Sequence, residues 1–173
     1  MGRGLGEQMF TVGILTISDK GSRGERQDKS GEAIREILPS IDARIVNYEI
    51  VPDEKELIVK KLMKWVDEYN LDVLITTGGT GLTPRDVTPE ATLAVVDRIV
   101  PGIAEAMRAE SLKKTPMAML SRAVVGTRGK CLIINLPGSP KAVRECLEVV
   151  LPALPHAVET LKGQAGECGT AQA

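Results

Sequence analysis

Apolar residues recur along this chain in two alternating rhythms. Phe10 to Ser18 is nearly continuous in apolar and β-branched residues, the pattern of a strand buried on both faces of a parallel sheet. Ala43 to Val51 predicts a second strand; Asn47 and Glu49 break its apolar run and put it nearer an edge. Leu71 to Thr77 is a third, and Ala123 to Asn135 reads as two strands around a glycine-containing turn. Between them the spacing turns helical. Ala33, Ile34, Ile37 and Leu38 mark one face of a short helix, with Pro39 just beyond it. Ile58, Leu62, Trp65, Val66 and Tyr69 form a second buried stripe. Ala91 to Ile99 and Ile103 to Leu112 predict helices separated by Pro101-Gly102, and residues 116–121 carry no clear pattern. Lys141 to Leu151 is a helix turning Val143, Cys146, Leu147 and Val150 inward; Pro152 and Pro155 interrupt it before 157–161 continue.

Strands that alternate with helices predict an α/β fold: a three-layer α/β/α sandwich whose sheet is mainly parallel, with one antiparallel strand from the 123–135 hairpin. The length of 173 residues suits one domain. Its expected extent is 9–162, between a flexible N-terminus at 1–8 and a flexible tail at 163–173. No internal repeat is visible.

Composition narrows the function classes. Twenty-two Lys and Arg stand against 23 Asp and Glu, a net charge of −1, which suggests no polyanion binder. Aromatic residues are 2% of the chain, too few for base-stacking recognition of nucleic acid. No apolar run approaches a membrane span. The three cysteines, Cys131, Cys146 and Cys168, show no C-x-x-C spacing and read as reduced thiols in a cytoplasm.

The candidate chemistry centres on Gly78-Gly79-Thr80-Gly81. It follows the third strand directly and precedes Arg85, Asp86 and Thr88-Pro89-Glu90, which reads as a Thr-capped helix start with Pro in the first turn. Strand, glycine loop and helix N-terminus in series form an anion site. The spacing fits neither the dinucleotide fingerprint nor the Walker A loop, and by itself also suits a tight turn. Asp86 is either a solvated loop acid or a ligand. Asp53, with Glu56 three residues on, has the spacing of a capping box, or it is the partner of Asp86 in holding a cation. The loop from Ser18 to Gly31 is long and mixed in charge, as solvated loops and functional loops both are. Ser139 caps a helix and also presents its hydroxyl. His156 reads as structural, no Cys/His cluster exists, and Trp65 and the methionines read as core. In a parallel sheet the loops after Ser18, Thr77 and Leu136 converge beyond the strands' carboxyl ends.

Four ordered motifs then carry a resemblance: Ser18-Asp19-Lys20-Gly21-Ser22 with Gly24, Asp28, Ser30 and Gly31; Val51-Pro52-Asp53-Glu54; Thr76 to Gly81 with Arg85 to Ala91; and Leu136 to Lys141. From Val12 to about Leu161 the chain resembles the molybdopterin adenylyltransferase family, which includes MogA, MoaB and the G domain of gephyrin. The resemblance implies transfer of AMP from Mg²⁺-ATP to the terminal phosphate of molybdopterin, with pyrophosphate released. It puts the two functional acids, which hold Mg²⁺, on Asp53 and Asp86. It puts the pocket lining on Ser18, Asp19, Ser22, Asp28, Ser30, Thr77, Gly78, Gly79, Thr80, Gly81, Arg85, Pro137, Gly138 and Ser139. It also implies a homo-oligomer, a trimer or a hexamer, and handover of the product to a molybdenum insertion enzyme. Lys20, Arg23 and Arg85 are the expected counter-charges. The alternative within the family is a MoaB-type protein that binds molybdopterin without transferring AMP.

Overall fold

The computed structural model describes residues 9–164. Six strands form one sheet: β1 (Phe10–Ile17), β2 (Ala43–Val51), β3 (Val73–Thr77), β4 (Arg98–Ile99), β5 (Val125–Arg128) and β6 (Cys131–Leu136). Their order is β2-β1-β3-β6-β5-β4. β1, β2, β3 and β6 run parallel, and β5 is antiparallel to both its neighbours. The expected sandwich with one reversed strand is therefore what forms.

Strand alternation sorts the core into two layers. Val12, Ile14, Val73, Ile75, Leu132 and Ile134 face α2 (Lys29–Ile37), α5 (Pro101–Leu112), α6 (Pro140–Val150) and α7 (Leu154–Lys162). Leu15, Ile17, Leu74, Cys131 and Ile133 face α3 (Lys55–Asp67) and α4 (Thr88–Leu93). Every residue of β3 and β6 is buried, whereas β2 alternates with exposed positions because it is an edge. Among the described residues no helix is long and apolar enough to cross a membrane.

Several local expectations fail, each for a physical reason. The helix expected over 91–99 stops at Leu93. Asp97 N–H and Val100 N–H instead bond the carbonyls of Thr127 and Val125, so Arg98–Ile99 becomes β4. The loop after Ser18 is shorter than expected. Ser18 caps a four-residue helix, α1 (Asp19–Ser22), and Asp28 caps α2, which leaves only 23–28 irregular. Residues 116–120 form a 3₁₀ turn capped by Thr115. Pro155 starts α7 rather than interrupting it. Tyr69 lies beyond the end of α3 and is exposed, with Lys64 over its ring. Met107 is core, but Met9, Met63, Met117 and Met119 are exposed. Cys131 and Cys146 are free buried thiols, while Cys168 lies outside the described residues. The segments expected to be flexible, 1–8 and 163–173, also lie outside them except for Gly163 and Gln164. Gly163, with φ +73°, ends α7, and Gln164 N–H bonds the Glu159 carbonyl as a C-terminal cap.

Candidate functional site

Four parallel strands end at the same edge, so Ser18, Asp53, Gly78 and Gly138 arrive together. The chain moves from β1 outward to β2, then back across to β3, which puts a topological switch between β1 and β3. A cavity of about 610 Å³ lies there. Ser18, Asp28, Ser30, Asp53, Thr77, Gly78, Gly79, Asp86, Gly138 and Ser139 all line it.

The glycine loop owes its shape to two positive backbone angles. Gly78 has φ +96° and Gly79 φ +67°. A Cβ on Gly78 would lie 2.3 Å from the Ile17 carbonyl oxygen, backbone that cannot yield. Thr88, expected to cap α4, is instead the first residue of that helix. Its hydroxyl donates to the Gly78 carbonyl at 2.9 Å and its N–H to the Gly79 carbonyl at 3.1 Å. Thr77 donates its hydroxyl to the Pro137 carbonyl at 2.7 Å, tying the loop to the turn after β6. Gly78→Ala is expected to cost about 3 kcal/mol from the left-handed angle and the clash, and to abolish ligand binding. Urea unfolding and nucleotide titration check both.

Asp53 does not cap α3. Glu54 holds the cap position with no side-chain bond, and Asp53 turns back toward β1. Its Oδ2 accepts from Asp19 N–H at 2.8 Å, and its own N–H donates to Asp19 Oδ1 at 3.0 Å. This reciprocal pair joins the ends of β1 and β2. Burial pushes the Asp53 carboxyl above its ordinary range. The Asp19 N–H opposes this, and the charges of Asp19 and Asp86 add to it. Asp86 accepts from Thr83 N–H at 2.9 Å. Arg85 is turned to Asp19, donating at 3.0 and 2.8 Å, and this guanidinium holds the Asp19 carboxyl low.

Two half-buried carboxylates that repel one another, each with one oxygen already bonded, form a donor set that a divalent cation relieves. Among the described residues no group of three or more His, Cys, Asp or Glu side chains could hold a metal alone. The pair suits a cation whose remaining ligands are water and phosphate oxygens.

Asp28 serves the wall in another way. Its carboxylate accepts from Thr16 Oγ1 at 2.6 Å, Gly31 N–H at 2.9 Å, Ser30 Oγ at 3.1 Å and the Tyr48 hydroxyl. Burial alone would raise its pKa, but these donors outweigh it and hold it below the ordinary value of 3.8. A depressed folded-state pKa gives stability that is present above the unfolded value and lost as pH falls through the folded one. Asp28→Asn is therefore expected to lose about 1–3 kcal/mol at neutral pH. Its difference from wild type is expected to shrink below pH 3.8, which denaturant titrations across that window measure.

The remaining expected residues, Asp19, Ser22, Thr80, Gly81, Arg85 and Pro137, are not part of this cavity's lining. Asp19 and Arg85 are engaged with each other, and the Ser22 hydroxyl donates to the Asp19 carbonyl at 2.8 Å. Thr80, Gly81 and Pro137 line a second cavity on the far side of the loop. Arg23 pairs with Glu25 at 2.8 Å in solvent. The cations that do line the first cavity are Arg26 and Lys29; the sequence did not assign them to the pocket, nor Thr16, Ile17, Gly21, Gln27 and Pro140, although Gly21 and Pro140 stand within the four motifs. The place of Arg26 and Lys29 beside the Asp28 cap of α2 is the signal that could have found them.

Arg122 was also missed. Its Nε donates to the Gly81 carbonyl at 2.7 Å, its Nη2 to the Asp86 carbonyl at 2.7 Å and its Nη1 to Glu90, while its N–H reaches the Thr80 carbonyl at 3.0 Å. One side chain thus fixes the loop from Gly81 to Asp86 and the first turn of α4.

Residues 13–156 match the family model described as a probable molybdopterin binding domain. The chain is 50% identical over 158 residues to a molybdopterin adenylyltransferase of Helicobacter pylori strain J99, covering 90% of each. It is 42% identical over 166 residues to the molybdopterin adenylyltransferase of Escherichia coli K12, covering 88% of this chain and 85% of that one. A solved structure of the molybdopterin biosynthesis enzyme MoaB from Thermus thermophilus superposes with a TM-score of 0.85. The two share 59% identity over 90% of this chain and 98% of that one.

Proposed function

The chain belongs to the molybdopterin-binding domain family, and from that premise we propose that it is a molybdopterin adenylyltransferase of molybdenum cofactor biosynthesis. It transfers AMP from Mg²⁺-ATP to the terminal phosphate of molybdopterin. The observation that carries this reading is Asp53 and Asp86 lining one cavity with the glycine loop.

A phosphate oxygen of molybdopterin attacks the α-phosphorus of ATP. A new P–O bond forms, the bond from that phosphorus to the bridging oxygen breaks, and pyrophosphate leaves with the electron pair. The nucleophile is already ionised, so no general base is needed, which suits a cavity without histidine in its lining. The difficulty is charge, because two anions must approach. Asp53 and Asp86 would hold Mg²⁺, which when bound neutralises phosphate charge. The N–H groups of the glycine loop and the cations Arg26 and Lys29 receive phosphate oxygens, and the capped N-terminus of α6 at Ser139 adds its field.

The reading extends to a cytoplasmic homo-oligomer, a trimer or hexamer, that passes adenylylated molybdopterin to a molybdenum insertion enzyme. Incubation with molybdopterin, ATP and Mg²⁺ tests the chemistry, with pyrophosphate and adenylylated product followed together. The expected result is one pyrophosphate per product and no turnover with EDTA present. Tight molybdopterin binding without product, where a known adenylyltransferase works, would instead assign the non-catalytic role. The 59% identity to MoaB makes that the reading to exclude.

A further inference from the structure

Arg85, an expected counter-charge for phosphate, lies outside the lining of the first cavity, and its guanidinium is spent on Asp19. Its Nε donates to Asp19 Oδ2 at 3.0 Å and its Nη2 to Asp19 Oδ1 at 2.8 Å. A planar two-point contact of this kind fixes direction as well as distance. Asp19 in turn accepts the Asp53 N–H at Oδ1 and donates its own N–H to Asp53 Oδ2. At the other end, one peptide bond joins Arg85 to Asp86. The turn from Thr83 to Asp86 is closed twice, by Asp86 N–H on the Thr83 carbonyl at 3.0 Å and by Thr83 N–H on Asp86 Oδ2 at 2.9 Å. A continuous chain of bonds therefore runs from Asp86 through Arg85 and Asp19 to Asp53. Of these four residues, only Asp53 and Asp86, its two ends, line the cavity.

We infer that Arg85 is a positioning residue, a strut that sets the gap between Asp53 and Asp86 for a divalent cation and works through Asp19 rather than on a phosphate. The inference rests on the acid pair being the cation site of the proposed enzyme. The two acids come from different elements, the end of β2 and the loop before α4, and β2 is a sheet edge. Both press on the glycine loop. A Cβ on Gly79 would lie 3.3 Å from Asp53 Oδ1, and one on Gly81 would lie 2.9 Å from Asp86 Oδ2. The loop gives the acids a common floor, but like charges on separate elements need a tie to stay at one spacing. Arg122 anchors the Gly81–Asp86 loop to α4; Arg85 supplies the tie to the end of β1 that Arg122 does not. The Arg85 side chain is 57% exposed, so the ion pair adds little to stability. Its contribution is to geometry, because groups that orient metal ligands tune the metal they hold.

Mn²⁺ is the probe, with the free ion counted by electron paramagnetic resonance as it is titrated into the full chain. The wild type is expected to bind Mn²⁺ saturably and Asp86→Asn to lose it. Arg85→Gln and Asp19→Asn are each expected to weaken binding about tenfold or more, with melting temperatures unmoved. The double variant is expected to lose no more than either single one, because both act on one chain of bonds. Arg85→Lys is expected to bind no better than Arg85→Gln, since one ammonium cannot reproduce the two-point contact. Losses that add in the double variant overturn the inference, as does a wild-type affinity in Arg85→Gln or full recovery with lysine. So does a large fall in melting temperature, absence of saturable binding, or Mn²⁺ that Asp86→Asn still holds. Adenylyl transfer by the wild type is measured separately. Its failure removes the adenylyltransferase reading, whereas the Mn²⁺ titration decides the strut.

Discussion

Asp86→Asn will lower adenylyl transfer by about 10²–10³-fold and leave the melting temperature almost unmoved. The asparagine amide oxygen can still accept from Thr83 N–H, as Asp86 Oδ2 does at 2.9 Å, so the loop keeps its shape. What disappears is one negative charge from a cavity that already sets Asp53 against it. Without that charge the cation is held less tightly, and the approaching phosphates lose their neutralisation. The loss is expected in kcat at saturating ATP, with part recovered by raised Mg²⁺. Steady-state kinetics across Mg²⁺ concentrations, with thermal unfolding in parallel, decide the matter. A wild-type rate removes Asp86 from the chemistry, and a large fall in melting temperature makes its role structural.

Arg122→Ala will cost both stability and activity. The guanidinium donates to two backbone carbonyls and to Glu90, and half-buried Glu90 keeps one buried oxygen without a partner even now. Removing the arginine leaves three acceptors without their donor, at about 2–4 kcal/mol together. It also frees the Gly81–Asp86 loop, so the rate is expected to fall about 10–100-fold through misplacement of Asp86. Lysine cannot reach three acceptors with one ammonium, so Arg122→Lys is expected to restore little. Urea unfolding gives the stability. A KM for ATP that rises with Mg²⁺ demand separates a positioning loss from general unfolding.

Five of the six strands were legible because they are short apolar runs, and the parallel sheet followed from their alternation with helices. The hairpin of β5 and β6 was legible from Gly129. What misled was spacing without context. Asp53 and Glu56 have the interval of a capping box, yet the demand of the Asp19 N–H across two strand ends outcompetes the local cap. Leu93, Val95 and Val96 suit a helix face, but β5 offers unpaired carbonyls that draw residues 97–100 into the sheet. Short apolar runs do not distinguish these cases. Arg122 was invisible for a different reason. Its partners at Gly81, Asp86 and Glu90 are more than thirty residues away in sequence, and no pattern local to residue 122 announces them. The glycine loop and its acids were legible as motifs, but the distribution of Thr80 and Gly81 to one cavity and of Gly78 and Gly79 to another was not.

The reciprocal Asp19–Asp53 pair has a dynamic consequence. β2 is a sheet edge, bonded on one side to β1, and edges open at lower free energy than the interior. Asp53 sits at the end of that edge. A partial opening that peels β2 from β1 would separate the acid pair while β3, β6 and the glycine loop remain folded. Catalytic competence is therefore expected to vanish at lower urea than the global transition. Amide exchange at Ser18, Asp19 and Asp53 will report this smaller opening, and the buried amides of β3 the larger.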